Sequence, residues 1–210
     1  MLSNDKKLNN LFYNWLVLSF LLILIMIVVG GLTRLTNSGL SITEWELFKG
    51  ILPPFNNQKW EEYFALYKEI PQYQFINIDM TLHEFKIIFY WEYFHRILGR
   101  IIGLFFLIPL LYFSFKKVNQ YYLNICYTVL LLIIFQGFLG WYMVASGLVD
   151  KVSVSHYRLS MHLSVAFLII SIIFWLLLNI KNKSYKSFFN TKKSNYYFYF
   201  LIFIIFFQII

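Results

Sequence analysis

The chain has one cysteine, few prolines and little charge. Its single thiol, Cys126, stands inside an apolar run, so no disulfide can close within the chain and no pair of its thiols can carry a redox reaction. Charged residues make up 13% of the 210, about half the share found in a soluble domain. Hydrophobic residues reach 60% and aromatic ones 22%. That is more apolar surface than a soluble domain of this length buries, which excludes water as the solvent of the fold. Several apolar runs instead reach the ~20 residues that cross a bilayer core.

The charge that is present is unevenly placed. Basic residues outnumber acidic ones by 18 to 10, for a net charge of +8. In a soluble chain that excess would suggest nucleic acid as a partner; here its distribution excludes nucleic acid and points to the lipid bilayer. Nine basic residues sit in three short segments, at Lys6 and Lys7, at Lys116 and Lys117, and at Lys181, Lys183, Lys186, Lys192 and Lys193, opposed there only by Asp5. These segments alternate with residues 33–86 and 146–158, the longer of which holds seven acidic residues against five basic. Lysine and arginine gather in cytoplasmic loops, so the pattern places the N-terminus in the cytoplasm and the two intervening loops outside.

Residues 11–32, 87–115, 121–145 and 159–180 are each long enough to span, whereas the apolar tail 196–210 has only 15 residues, short of a comfortable crossing. The first run lacks a small-residue cleavage site and exceeds a signal-peptide core in length, so it reads as a retained helix. The expected fold class is all-α. Residues 1–180 form a polytopic four-helix transmembrane bundle, 181–195 a cytoplasmic loop, and 196–210 the truncated start of a fifth helix.

The external loop, residues 33–86, carries three of the four prolines, Pro53, Pro54 and Pro71, and a loop of that length is ordered or functional if it is not a linker. Within it Trp60, Tyr63, Phe64 and Tyr67 recur at i, i+3, i+4 and i+7. That spacing predicts a short amphipathic helix, lying either on the outer membrane surface or against the rest of the protein. Thr81-Leu82-His83-Glu84 matches a capping box, which starts the second long helix near Leu82. Carried to Phe115, this helix is ~50 Å long and exceeds a ~30 Å hydrocarbon core. The charges mark its outer end as the part that projects.

That helix sets Glu92, His95, Arg96 and Arg100 just outside the uncharged run 101–115, hence in the outer third of the membrane. A charge at bilayer depth costs about 2.5–3.5 kcal/mol on insertion scales and marks a functional candidate. Glu92 and Arg96 can pair at i, i+4, and Glu92 shares a face with His95. His95, Gly99 and Gly103 form an i, i+4, i+8 stripe, which reads either as a groove beneath an imidazole or as close helix packing through small residues. His162 on the fourth span repeats the arrangement, with Arg158 at i−4 and Ala166 at i+4. Both helices run from outside to inside, so the two histidines lie at similar depth near the outer surface and can face each other inside a four-helix bundle. Bis-histidine ligation of haem iron is the simplest chemistry that uses two opposed imidazoles, whereas zinc would want more ligands than the sequence offers. His83 and His156 stand at external helix starts, where hydrogen bonding to a cap or water is the expected role; Glu84 is accounted for by its capping box.

Four segments carry a resemblance. Residues 30–45, GGLTRLTNSGLSITEW, followed by Pro53-Pro54, then 84–100, EFKIIFYWEYFHRILGR, then 137–148, GFLGWYMVASGL, and 154–163, VSHYRLSMHL, together resemble the haem A synthase family, in its mitochondrial and alphaproteobacterial branch. The resemblance implies a membrane oxidoreductase that converts haem O to haem A, for terminal oxidases, by oxidising a ring methyl to a formyl group. It also implies eight helices in two related halves, of which this chain matches the amino-terminal one. By motif, His95 and His162 become the axial iron ligands that hold haem O as substrate, and Glu92 the catalytic residue assisting oxidation at the methyl carbon.

Arg34, Arg96, Arg100 and Arg158 are candidate partners for the haem propionates, because guanidinium groups pair bidentately with carboxylates; for Arg100, Glu92 or a helix carbonyl is the alternative partner. The family's second histidine pair, which holds a haem b cofactor, lies in the carboxy-terminal half that this chain does not match. Some bacterial members carry a cysteine pair in the first external loop, and this loop has none, in keeping with the branch. The resemblance further implies the bacterial plasma membrane, with the haem pocket near the external face. It implies haem O synthase as a partner, an electron acceptor of unspecified kind, and a homo-oligomer as a possible assembly. A non-enzymatic bis-histidine b-type cytochrome or haem chaperone is the competing function, and a transporter with a midplane ionisable site is a weaker third.

Overall fold

The structure is a computed structural model that describes residues 4–44, 52–116, 118–148 and 152–182, together with Tyr196 and Tyr199. Every regular element among the described residues is a helix: α1 Lys6–Leu35, α2 Asn57–Lys68, α3 Pro71–Phe75, α4 Leu82–Phe115, α5 Gln120–Ala145 and α6 His156–Asn182. Four of them, α1, α4, α5 and α6, are long and apolar enough to cross a membrane, as expected of a multi-pass membrane protein. Beyond Asn182 only Tyr196 and Tyr199 are described, both helical; the expected cytoplasmic loop and fifth helix otherwise lie outside the described residues.

The spanning helices begin earlier than the apolar runs because caps, not hydropathy, set their ends. Asp5 accepts hydrogen bonds from the amides of Lys7 and Leu8, so α1 starts five residues before its apolar run. Thr81 and Glu84 form the reciprocal capping box that opens α4. At the other end of α1, Asn37 adopts φ 51°, the left-handed conformation that asparagine tolerates better than most residues and that closes helices. The chain turns there across the end of the bundle at which α1 closes and α4 begins.

The four long helices form a ring in which α1 and α5 each pack against both α4 and α6. Helices α4 and α6 therefore oppose each other across a diagonal. Toward the opposite end the centre is filled by Phe12, Trp15, Phe106 and Phe113, whose rings meet at centroid distances of 4.8–5.3 Å across α1 and α4. Pro109 lies inside α4 and has no amide hydrogen to donate, which leaves the carbonyl of Phe105 without its helical partner. Trp15 supplies one: its Nε1 donates to the Phe105 oxygen at 3.1 Å.

A second core covers the projecting part of α4. Helix α2 buries Trp60, Phe64 and Tyr67 against Phe85 and Phe89 at 5.0–5.1 Å. Of the two placements left open by its spacing, α2 takes the one against the protein. Burial pushes the Tyr67 hydroxyl above its ordinary pKa, and as a neutral group it donates to Gln72 and accepts from Asn77. Gln72 in turn donates to the carbonyl of Asn37, which fastens α3 to the turn after α1.

Candidate functional site

His95 on α4 and His162 on α6 extend from the two diagonally opposed helices. Each packs against a glycine of a neighbouring helix. A Cβ on Gly30 of α1 would stand 3.3 Å from His95 Nε2, and one on Gly140 of α5 would stand 3.3 Å from His162 Cε1 and 3.9 Å from its Nδ1. The bundle thus keeps, beside each imidazole, space that any larger residue would fill. Below this level Gln136 of α5 donates to the carbonyl of His162 at 2.8 Å. His162 Nδ1 and Gln136 Oε1 are both buried without a hydrogen-bond partner.

The stripe expected beneath His95 is built differently. Gly99 faces Met26 of α1, whose Cε would lie 3.3 Å from an added Cβ, and Gly103 has nothing within 4 Å. Neither touches an imidazole; the glycine at His95 is Gly30. Gly30, Gly140 and Gln136 were not singled out from sequence. The signal that could have found them is depth: each lies on a helix adjacent to a histidine and within one turn of its height, a relation that needs the helix register.

Glu92 is buried, with 3% of its surface exposed, and all its acceptor capacity is engaged. Oε1 accepts from Arg96 Nη2 at 2.5 Å and Nε at 3.0 Å, while Oε2 accepts from the Ser41 hydroxyl at 2.7 Å and the Ile42 amide at 2.9 Å. Arg96 also donates to the Ile42 carbonyl at 3.2 Å. The pair therefore clamps residues 38–42, of which Ser38, Leu40, Ser41 and Ile42 are buried. Leu40 lies against Gly147 at the end of α5 and Gly39 against Val154 just before α6. This segment is a cover over the end of the bundle at which α1 closes, and the i, i+4 pairing of Glu92 with Arg96 is what holds it.

The four arginines divide into two sets. Arg34 lies one helical turn beyond Gly30 in the last turn of α1, and Arg158 one turn outside His162, donating to the Ser146 hydroxyl and lying over the Tyr142 ring at 5.0 Å. Both stand nearer than the imidazoles to the covered end of the bundle. Arg96 and Arg100 are rotated by about 100° and about 140° around α4 from His95. They line instead a lateral cleft with Ile42, Glu44, Tyr63 and Tyr93. The structure does not bring these two to the histidine face, nor does it pair Arg100 with Glu92, whose hydrogen bonds are taken by Arg96, Ser41 and Ile42. His83 and His156 are exposed at the starts of their helices, and Glu84 is spent on its cap.

Among the described residues no group of three or more His, Cys, Asp or Glu could hold a bare metal ion. Two opposed histidines flanked by glycines and half-buried arginines suit a planar macrocycle whose iron brings four ring nitrogens of its own and needs two axial ligands. The space that a Cβ at Gly30 or Gly140 would fill is the feature of this chain that fits such a group.

Comparison with known proteins gives an independent line. Residues 13–210 match the family model described as cytochrome oxidase assembly protein. A haem A synthase of Pelagibacter ubique is 58% identical over 168 residues, covering 79% of this chain and 50% of that protein. One of Flavobacterium psychrophilum is 52% identical, over 79% of this chain and 50% of its own length. One of Rickettsia felis is 50% identical, over 83% of this chain and 51% of its own. The chain spans about half the length of the curated relatives it matches. No solved structure matches it.

Proposed function

Since this chain belongs to the family of cytochrome oxidase assembly proteins, we propose that it is the haem O-binding half of a haem A synthase, in which a ring methyl of haem O is oxidised to a formyl group. The observation that carries this reading is the pair of imidazoles on opposed helices, each with a glycine across from it. His95 and His162 are the axial ligands of the substrate's iron. Arg34 and Arg158, one turn external to that level, receive the propionates. Arg96 and Arg100 act elsewhere.

Converting a methyl to a formyl group adds one oxygen atom, which water can supply, and removes four electrons and four protons, so the reaction needs an acceptor beyond the residues of this pocket. What the chain supplies is position and field. Glu92, three residues before His95, is held in place by four donors. A fixed, fully hydrogen-bonded carboxylate favours positive charge developing on the substrate. The cover held by Glu92 and Arg96 keeps water from the outer end of the bundle. In this reading the site lies near the external face of the bacterial plasma membrane, haem O synthase delivers the substrate, and the haem b of the family belongs to the part of the relatives this chain does not span.

The test is a reduced-minus-oxidised optical spectrum with extracted-haem analysis, on protein purified from membranes that make haem O, beside His95→Ala and His162→Ala. Bound haem O with a low-spin bis-histidine spectrum, lost in both variants, is the expected result. A folded protein whose haem content neither substitution changes would remove the reading.

A further inference from the structure

The two histidines are held differently, and the difference singles out Gln136. His95 turns Nε2 toward Gly30, whereas His162 turns its Cε1–Nδ1 edge toward Gly140 of α5, with Nε2 outside 4 Å of the Cβ position there. The nitrogen of His162 on the α5 side is therefore Nδ1. Gln136 lies one turn along the same face of α5 and is anchored to His162 itself, its Nε2 donating to the His162 carbonyl at 2.8 Å. That bond assigns the amide: the oxygen is the end left over. This oxygen and His162 Nδ1 are two buried polar atoms without hydrogen-bond partners, one an acceptor carried by α5 and the other able to carry a hydrogen on the ring edge turned toward that helix. Leaving both unmade costs the desolvation of each, and the notch at Gly140 leaves the ring free to tilt toward the amide.

We propose that Gln136 is a positioning residue for His162: its Oε1 takes the hydrogen of His162 Nδ1 and so fixes the ring tautomer that presents a lone pair on Nε2. This inference rests on the haem reading above. A ligating imidazole normally gives its other ring hydrogen to an acceptor that fixes its orientation and raises its basicity. Here one side chain does so while also holding the backbone of the same histidine, setting both its height and its rotation. Gln136 touches neither substrate nor iron; it acts through His162.

The experiment follows the haem signal that His162→Ala abolishes, in protein purified in full from membranes that make haem O, and measures its midpoint potential in wild type, Gln136→Glu and Gln136→Leu. A carboxylate accepts the Nδ1 hydrogen more strongly than an amide, and leucine cannot accept it. A more basic imidazole stabilises ferric iron, so the potential should fall in Gln136→Glu and rise in Gln136→Leu, with haem retention in Gln136→Leu lowered about tenfold or more. A purely structural role, through the carbonyl bond alone, would weaken both variants without moving their potentials in opposite directions. Equal potentials, or shifts of one sign, overturn the assignment. Should the leucine variant not fold, Gln136→Glu decides alone, since an unchanged potential overturns the proposal and a lowered one supports it. A folded wild type without His162-dependent haem overturns the haem reading itself, and this inference with it.

Discussion

A single methyl group at Gly30 would stand 3.3 Å from His95 Nε2, in space that a bound macrocycle needs. Overpacking of this kind costs about 1–3 kcal/mol, so Gly30→Ala should lower haem affinity roughly ten- to hundredfold, measured by haem titration of the purified protein. Gly140→Ala, 3.3 Å from His162 Cε1, should act in the same direction, whereas Gly103→Ala, with nothing within 4 Å, should leave affinity unchanged. Glu92 calls for a comparison, because it both lies near the pocket and holds the cover. Glu92→Gln should retain haem and lose haem A formation. Ser41→Ala, which removes one of the cover's bonds to Glu92 but leaves the carboxylate charged, should keep most of the product yield by extracted-haem analysis. If Ser41→Ala failed equally, the importance of Glu92 would lie in holding the cover. Glu92, His95 and His162 were legible from sequence because their spacing and charge stand out against an apolar background. Gly30, Gly140 and Gln136 were not, since their part depends on which residue of a neighbouring helix arrives at the same height.

Helix α4 shows how much an element's own sequence decides. Its start was readable from four residues, because a capping box satisfies backbone amides locally and needs no tertiary partner. Thr81→Ala should cost about 1 kcal/mol of stability, seen as a lowered midpoint of thermal unfolding in detergent. Its length was readable too, since α4 runs to Phe115 as expected; what the sequence does not show is how it passes Pro109, where Trp15 of another helix hydrogen-bonds the carbonyl that proline leaves open. Trp15→Phe keeps most of the ring packing and removes that donor. An unsatisfied buried carbonyl costs about 1–3 kcal/mol, so this variant should unfold earlier than wild type by a corresponding margin while α4 stays helical by circular dichroism. The amphipathic spacing of α2 predicted its existence but not its surroundings, because an apolar stripe is the same whether it meets lipid or Phe85 and Phe89. What settled its place was the aromatic surface that the projecting end of α4 offers.

At the scale of the molecule, the proposal requires one orientation in the membrane. The cover, the arginines Arg34 and Arg158, and both imidazoles lie toward the same end of the bundle as α2 and α3, while the aromatic centre of Phe12, Trp15 and Phe113 lies toward the other, next to the basic residues Lys6, Lys7 and Lys116. The excess of lysine at that end argues for its facing the cytoplasm, which sets the pocket at the external face. The sequence itself provides a clean assay. Its only cysteine, Cys126, is fully buried, so a membrane-impermeant thiol reagent should find almost no background on intact cells. Glu61→Cys, exposed on α2, and Gln120→Cys, exposed at the start of α5, probe the two ends without touching the pocket. The first should label from outside in intact cells, the second only after the membrane is opened. The reverse pattern would turn the bundle over and move the proposed haem site to the cytoplasmic face. Substrate delivery and the electron acceptor would then have to be sought on that side.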